Sequence, residues 1–471
     1  MSRVVMFVLN DCRTDTRVLR EAATLVGAGH RVTIMARPSE ASATTVEREE
    51  RDGFEIVRVP IPRGMRQRWL FLRAPWRFRG EMLDWARGQL REGPTGWVRL
   101  LGTVLLAIVA IPVLAVVVIL LFAARLIPGL GGAGGGLDWL IRWRSSQMAW
   151  GKAAATAAPA ADIFHGHDLT ALPAARWAMQ REGGLLVYDS HEFFLEAGSN
   201  ARRPAWTKRF FGRLQRRWAA DAAALVTVNQ TLGELLGRDL RAKRVVIVHN
   251  APPRWTPPEN PADLLRPAAG IPAGAPVALY HGGFSGDRGL LELVTCWPLV
   301  GLADAHLVFL GFGPLRDELL ARAADPALGG RVHVLPAVPP EELADWVACA
   351  DVGVMPNQPR TLNERLSTPN KLFESLAVGL PVVSSDFPER RRIVIDDPDG
   401  PLGAVSDPTD PAALAAAIRS ILEQDPAARA DLRARCLKAA HERWNWETES
   451  ARLTGLYADL SASAPGPRAT A

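Results

Sequence analysis

Lys371 and Glu374 are the residues whose type and spacing most invite chemistry. They lie in Ser367-Thr368-Pro369-Asn370-Lys371-Leu372-Phe373-Glu374, which runs on to Gly379-Leu380-Pro381-Val382-Val383. The stretch reads as loop, short helix, sharp stop and buried strand. Thr368 suits the N-cap and Pro369 the first helical position. Gly379 suits a left-handed terminating residue. Leu372, Phe373, Leu376 and Leu380 share one face at helical spacing, and Lys371 and Glu374 share another. A cation in the first turn opposes the helix dipole, at a cost of roughly 0.3–1 kcal/mol if exposed. An anion bound there would remove that cost, because helix N-termini attract phosphate. A surface Lys371–Glu374 pair is the plain alternative, and these residues alone leave both open.

Two further places could carry chemistry. The strand Val277-Ala278-Leu279-Tyr280 is followed by His281-Gly282-Gly283-Phe284-Ser285-Gly286-Asp287-Arg288-Gly289. Small residues in such a loop let a phosphate approach backbone N–H groups. In the first half, Asp162-Ile163-Phe164-His165-Gly166-His167-Asp168 is a buried strand ending in polar residues, with a helix from about Leu172. Ligands of open α/β sheets sit at the carboxyl ends of strands, although a histidine there is more often structural. Tyr188-Asp189-Ser190-His191-Glu192-Phe193 ends a strand at the same edge, so His191 and Glu192 are candidate ligand contacts or loop braces. Asp397-Pro398-Asp399 is a D-x-D, but it sits in a Pro/Gly loop far from these elements, and no metal site is expected. Cys12, Cys296, Cys349 and Cys436 show neither zinc spacing nor a disulfide framework, which fits a reducing compartment.

The Ser367–Glu374 stretch resembles the donor-binding segment of glycosyltransferase family 4, enzymes of the GT-B fold. The resemblance implies an α/β protein with two Rossmann-like parallel-sheet domains facing a cleft that holds the active site. It implies that Glu374 binds the nucleotide ribose. The family's E-x7-E pattern has an earlier glutamate, and Leu366 stands in its place; a branch with Ser-x-Pro-Asn-Lys-Leu-Phe-Glu shares this trait. Arg288 matches the basic residue that holds the pyrophosphate. Gly282 and Gly283 replace the second basic residue of that turn, and Lys371 is the candidate to compensate. His167, with His165 as second choice, matches the histidine that faces the donor sugar, and His165, His191 and Glu192 are possible acceptor-side residues. Ser367, Asn370, Gly282 and Gly283 are the remaining donor contacts. Asp15-Thr16-Arg17-Val18, Ala28-Gly29-His30-Arg31-Val32, Gly311-Phe312-Gly313-Pro314 and Ala337-Val338-Pro339-Pro340-Glu341-Glu342 also resemble the family. The family implies retention at the anomeric carbon, no metal, and no cofactor beyond a nucleoside diphosphate sugar as substrate.

The surrounding elements must position these residues. Strands are expected at Val4 to Leu9, Arg31 to Ala36, Phe54 to Pro60, Asp162 to His167, Leu185 to His191, Leu225 to Asn229 and Val245 to Asn250. Their Val/Ile/Leu runs suit parallel strands buried on both faces. Asp15 to Gly29 is a helix between the first two, which makes a βαβ start. No G-x-G-x-x-G follows the first strand, so a dinucleotide fingerprint is absent. Further strands are expected at His306 to Leu310, Val332 to Leu335 and Ala350 to Pro356. Eight prolines between Pro252 and Pro276 mark a linker. The expected division is an N-terminal acceptor-side domain over 1–250, a linker over 251–275, a nucleotide-sugar domain over 276–430, a crossover helix over 431–460 and a disordered tail over 461–471.

One region breaks this pattern. Residues 63–79 carry six arginines and no acid, interleaved with Trp69, Phe71, Trp76 and Phe78. Leu100 to Ala124 is 25 residues without a charge. That is ~38 Å if fully helical, against a hydrocarbon core of ~30 Å. A single crossing would separate strands that should share one sheet, and arginines flank both ends. Pro112 falls mid-segment. The expectation is a re-entrant hairpin with arms 100–111 and 113–124, or an in-plane helix, within an insert over 63–150. A single span and a buried soluble helix are the alternatives. Ala201 to Trp218 is a second basic, aromatic stretch, suited to anionic lipid or to a solvated helix face.

The chain has 471 residues, 48% hydrophobic and 22% charged, with net charge +5. That composition suits a large core and argues against global disorder. The opening strand leaves no room for a signal peptide within these residues. The expected protein is a glycosyltransferase on the cytoplasmic face of a cell membrane, monotopic or re-entrant. It would move sugar to a lipid-linked or glycolipid acceptor in cell-surface polysaccharide or glycolipid synthesis, with no nucleic-acid partner. Two rivals are a GT-B nucleotide-sugar epimerase and a non-catalytic membrane-bound nucleotide-sugar binder.

Overall fold

Apolar runs in the first half become strands β1 (Arg3–Phe7), β2 (Arg31–Ala36), β3 (Glu47–Arg51), β4 (Phe54–Arg58), β5 (Ile163–His167), β6 (Leu185–Ser190), β7 (Ala222–Thr227) and β8 (Val245–Ile247). The sheet order is β3-β4-β2-β1-β5-β6-β7-β8. β1 pairs in parallel on both sides, with Val4 opposite Val32 and Ile163. Helix α1 (Thr16–Gly27) connects β1 to β2, and the Asp15 side chain caps it by accepting from the Val18 N–H at 3.2 Å. Helices α2 (Asp168–Glu182), α3 (Ala205–Ala219) and α4 (Gln230–Leu240) follow. The structure, a computed structural model, describes residues 1–40, 43–62, 79–105, 142–259 and 261–463, with 108, 112, 116, 136, 139 and 140.

The second sheet is built from β9 (Val277–Gly283), β10 (His306–Phe312), β11 (Val332–Pro336), β12 (Val352–Met355), β13 (Val382–Ser385) and β14 (Gly403–Ser406). Its order is β11-β10-β9-β12-β13-β14, with parallel pairing throughout. Helix α5 (Asn370–Ala377) buries Leu372, Phe373 and Leu376 in the same core as Tyr280, Phe284, Trp297 and Phe309. Each such large side chain contributes roughly 1.5–3 kcal/mol on burial. Helices α6 (Pro388–Val394), α7 (Pro426–Glu442) and α8 (Trp446–Ser463) complete this half. The chain divides into two compact units: Met1–Tyr188 with Arg202–Ala222 and Ser463–Ala471, and Asp189–Ala201 with Ala223–Ala462.

Several expectations need correction. β3 and β14 are strands that the apolar pattern does not show. β3 is Glu-Arg-Glu-Glu-Arg, antiparallel to β4 at the sheet edge. The proline-rich linker holds a short helix, Leu265–Ala269, with Leu265 fully buried. The expected C-terminal helix is two helices, broken at Arg443 to Asn445, where the Asn445 side chain donates to the Ala440 and His441 carbonyls. Pro369, rather than Thr368, occupies the cap of α5. The Thr368 hydroxyl instead accepts from Asn229 Nδ2 at 3.1 Å. Gly379 has the expected left-handed φ of +70°, and the bond from Leu380 N–H to the Ser375 carbonyl closes the helix end.

The arginine run at 63–78 lies outside the described residues, as do most residues of the two hairpin arms. Of that apolar segment, Leu100 to Leu105 and residues 108, 112 and 116 are helical. Among the described residues no helix is long and apolar enough to cross a membrane.

Candidate functional site

β9 carries the chain into the glycine loop. His281 is buried, Gly282 has φ +105°, and the turn Gly286–Arg288 follows. Gly289 closes the turn with φ +72°, and a Cβ there would lie 1.9 Å from the Pro356 carbonyl oxygen. Only glycine fits, because both the backbone angle and the space forbid a side chain. Gly289→Ala is expected to cost ~1–3 kcal/mol or more. A denaturant midpoint shift at unchanged slope would show it; an unshifted midpoint would mean the loop relaxes freely.

Lys371 projects from the first turn of α5 and is buried, at 9% exposure. Its Nζ lies 3.6 Å from the centroid of the Tyr280 ring and about 3.5 Å from where a Gly282 Cβ would stand. This overturns the plain reading of an exposed Lys371–Glu374 surface pair. Burial drives the lysine pKa well below its usual value, and the Arg288 and Arg390 charges push the same way. Glu374 and Glu364 oppose the shift without cancelling it. Burial of a charged amine without full compensation is costly, so the arrangement favours an added anion.

Glu374 sits one turn on, and its Oε2 lies 3.0 Å from His281 Nε2. The strand therefore fixes the carboxylate through the imidazole while leaving it about one-third exposed. Arg288 Nη1 is 3.7 Å from Glu364 Oε2. Glu364 also accepts from Asn357 Nδ2 at 3.1 Å. Asn357 Oδ1 in turn accepts from Arg390 Nη1 at 3.2 Å. Arg390 is fully buried, and desolvation lowers its pKa to about 9. Ser367 closes the short helix Leu362–Leu366 by donating to the Glu364 carbonyl at 3.2 Å. Asn370 is exposed at the open end of α5. Asn229 Nδ2 donates to the Leu366 carbonyl at 2.8 Å, which holds the approach to α5.

The sequence marks none of Glu364, Asn357, Arg390 and Asn229 as a site residue. Arg390 sits in Pro388-Glu389-Arg390-Arg391-Arg392, which reads as a solvated charge run. Its spacing to the buried Ile393 and Val394 is the helical signal that would have placed it inside. No local signal marks Glu364. Its position two residues before Leu366 nevertheless puts a carboxylate beside Arg288.

His165 and His167 are both buried on one face of β5, their rings stacked at 4.3 Å. One ligand atom each of Glu21, His165 and His167 lies within 4.8 Å of the others. Two imidazoles and a carboxylate are donors that a divalent ion accepts, but Glu21 already pairs with Arg17 at 3.0 Å. Asp168, directly after His167, has a positive φ of 56°. His191 Nε2 contacts Asp189 Oδ2 at 3.0 Å, and the Glu192 carbonyl accepts from Ser190 Oγ at 3.0 Å. The structure thus records bracing contacts for these two loop residues. Asp397 and Asp399 are both bonded to Arg443, and Asp399 also to Lys438, so side-chain cations fill the D-x-D.

A cavity of about 710 Å³ lies beside β8, lined in part by Arg244, His249, Arg392, Trp444 and Arg452. Each of its arginines faces a carboxylate: Asp459 at 2.8 Å, Glu389 at 3.7 Å and Glu449 at 2.9 Å respectively. It lacks the excess cation that distinguishes the Lys371 site.

A basic cradle at the strand ends of a parallel sheet, reached by a glycine turn and a helix N-terminus, suits an anionic ligand. Residues 275–424 match the family model described as glycosyl transferases group 1, and residues 122–251 match a glycosyl transferase 4-like domain. The chain is 31% identical over 328 residues to the D-inositol 3-phosphate glycosyltransferase of Xylanimonas cellulosilytica, covering 64% of this chain and 73% of that one. It is 26% identical over 318 residues to the phosphatidyl-myo-inositol mannosyltransferase of Mycobacterium leprae, covering 64% and 74%. The sucrose-phosphate synthase of Thermosynechococcus elongatus superposes with a TM-score of 0.68 at 17% identity, over 98% of this chain and all of that one; this likeness speaks for the GT-B-like fold. The protein is a glycosyltransferase, and it belongs to glycosyltransferase family 4.

Proposed function

We propose that the enzyme transfers a sugar from a nucleoside diphosphate sugar to a lipid-linked or glycolipid acceptor of the phosphatidylinositol type, with retention at the anomeric carbon. The observation that carries the donor half is the buried Lys371, set with Arg288 beside the Gly282-Gly283 loop and lacking a full complement of negative charge. In the transfer, an acceptor hydroxyl oxygen bonds to the anomeric carbon, the bond from that carbon to the diphosphate oxygen breaks, and the hydroxyl proton is released. Negative charge then grows on the departing diphosphate. Lys371, Arg288 and the loop N–H groups stabilise that charge. Glu374, held by His281, receives the ribose hydroxyls, and Arg390 with Asn357 and Glu364 stiffens the floor beneath. His167 orients the donor sugar on the strength of the family resemblance.

The lipid side of the reading rests on the apolar stretch Leu100 to Ala124, in which Leu101 and Leu105 are exposed, and on the exposed Trp97 and Val98 that lead into it. The name of the Mycobacterium leprae relative supports the lipid side, and we propose the cytoplasmic face of a membrane as the location. A soluble inositol phosphate acceptor is the second reading, supported by the name of the Xylanimonas relative. Nucleotide release from UDP-, GDP- and ADP-sugars, with phosphatidylinositol vesicles or with inositol 3-phosphate, separates them. Release with one donor that depends on vesicles is the expected result. Release with inositol 3-phosphate alone would move the acceptor into solution. Binding of donor without release under every condition would sink the transfer reading.

A further inference from the structure

We propose that α3 is a second membrane contact, a basic and aromatic face that docks on anionic lipid headgroups. This deepens the membrane part of the function above and stands apart from its transfer chemistry. The helix has two distinct faces. Thr207, Phe211, Gln215 and Trp218 are buried, and Gln215 Nε2 donates to the Tyr188 hydroxyl at 2.9 Å. The opposite face carries Trp206, Arg209, Phe210, Arg213 and Arg217, all exposed. Trp206 and Phe210 are 44% and 42% exposed, one turn apart, with arginines between and beyond them.

The charge on this face is one-sided. Residues 205–219 contain five basic residues and no acid. No carboxylate pairs with Arg209, Arg213 or Arg217 among the described residues. Large aromatics flanked by unpaired arginines suit the headgroup level, where rings take the apolar boundary and guanidinium groups take phosphate.

The helix is also tied to the apolar insert. Phe211 packs against Trp139 and Trp143 at ring distances of 4.0 and 4.6 Å, and the Arg203 guanidinium lies 4.4 Å from the Trp139 ring. Trp139 and Trp143 lie in the last part of the insert, so that part is stapled to the buried side of α3. The same unit exposes Trp97, Leu101, Val104, Leu105 and Ile108 at helical spacing. An anionic bilayer matches both the charge and the apolar face.

The test uses the full chain and sedimentation with vesicles of phosphatidylcholine alone or mixed with phosphatidylglycerol. The wild type is expected to bind the mixed vesicles more tightly, with affinity falling as salt rises. Arg209→Glu with Arg213→Glu and Arg217→Glu is expected to lower binding to mixed vesicles on the order of 100-fold. Binding to neutral vesicles should change little, because the insert is intact. Trp206→Ser with Phe210→Ser should weaken binding to both kinds of vesicle. The arginine set changed to Gln checks that the loss follows charge, and an unchanged melting temperature checks the fold. Equal binding by wild type and charge-reversed protein overturns the proposal. So does concentration-dependent self-association abolished by the aromatic pair without any effect on vesicle binding, which would make a second copy the occupant. Nucleotide release with inositol 3-phosphate, read in the same samples, separates a failure of docking from a failure of transfer.

Discussion

Replacing Lys371 with methionine should lower donor turnover by ~10²- to 10³-fold while raising the melting temperature of the ligand-free protein. The two effects have one cause. In the free protein the lysine is buried among Arg288 and Arg390, and its pKa is held well below the usual value. Below the unfolded pKa the unfolded chain keeps its proton on this group, whereas the folded chain gives it up as pH rises through the depressed value. Stability therefore rises with pH across that window, and the charged lysine costs stability below it. Methionine removes the cost and keeps the volume. A departing diphosphate brings the missing negative charge, so its binding should draw a proton onto Lys371 within the same window. Calorimetry of nucleoside diphosphate binding in buffers of different ionisation enthalpy would register that uptake, and the methionine variant should lose it. Turnover within threefold of wild type would place the leaving group elsewhere. A lower melting temperature would mean that the Tyr280 ring compensates the charge better than its burial suggests.

The second large effect is expected at Glu374. Glu374→Ala should raise KM for the donor by ~10- to 100-fold, the value of a charge-assisted hydrogen bond, with kcat reduced much less. A carboxylate that holds the ribose binds ground state and transition state alike, and loss of such uniform binding appears in KM. Glu374→Gln keeps a partner for His281 and one acceptor for the ribose, so its KM should fall between. A kcat loss as large as that of the lysine variant would overturn the ribose assignment and place Glu374 at the reacting centre.

These residues differ in how far the sequence displays them. Lys371 and Glu374 are visible because a lysine in a first helical turn conflicts with the dipole. The parallel strands are visible because burial on both faces demands runs such as Val4-Val5-Met6-Phe7. The strand ends shift by a few residues, since pairing rather than hydrophobicity decides where a strand stops. Arg390 and Glu364 acquire their roles only through tertiary contacts. Their one-dimensional surroundings resemble ordinary surface charge, and burial alone turns Arg390 into a floor for the cradle. The cap of α5 moves from Thr368 to Pro369 for the same kind of reason: a distant side chain, Asn229, takes the threonine hydroxyl. The apolar run at 100–124 is the strongest single signal in the chain by composition.

The edge strand β3 has a consequence of its own. Every residue from Glu47 to Arg51 is charged, and on one side the strand pairs with β4. Its other side ends the sheet. A bare strand edge is a template on which another chain can add, and repeated addition gives polymer. A newcomer aligned on β3 would have to desolvate or match five successive charges of mixed sign. The strand therefore acts as a chain terminator: it completes the fold's own sheet and refuses the next copy. That refusal matters most where copies are crowded, and its cost is an edge that contributes little apolar burial to the fold it protects.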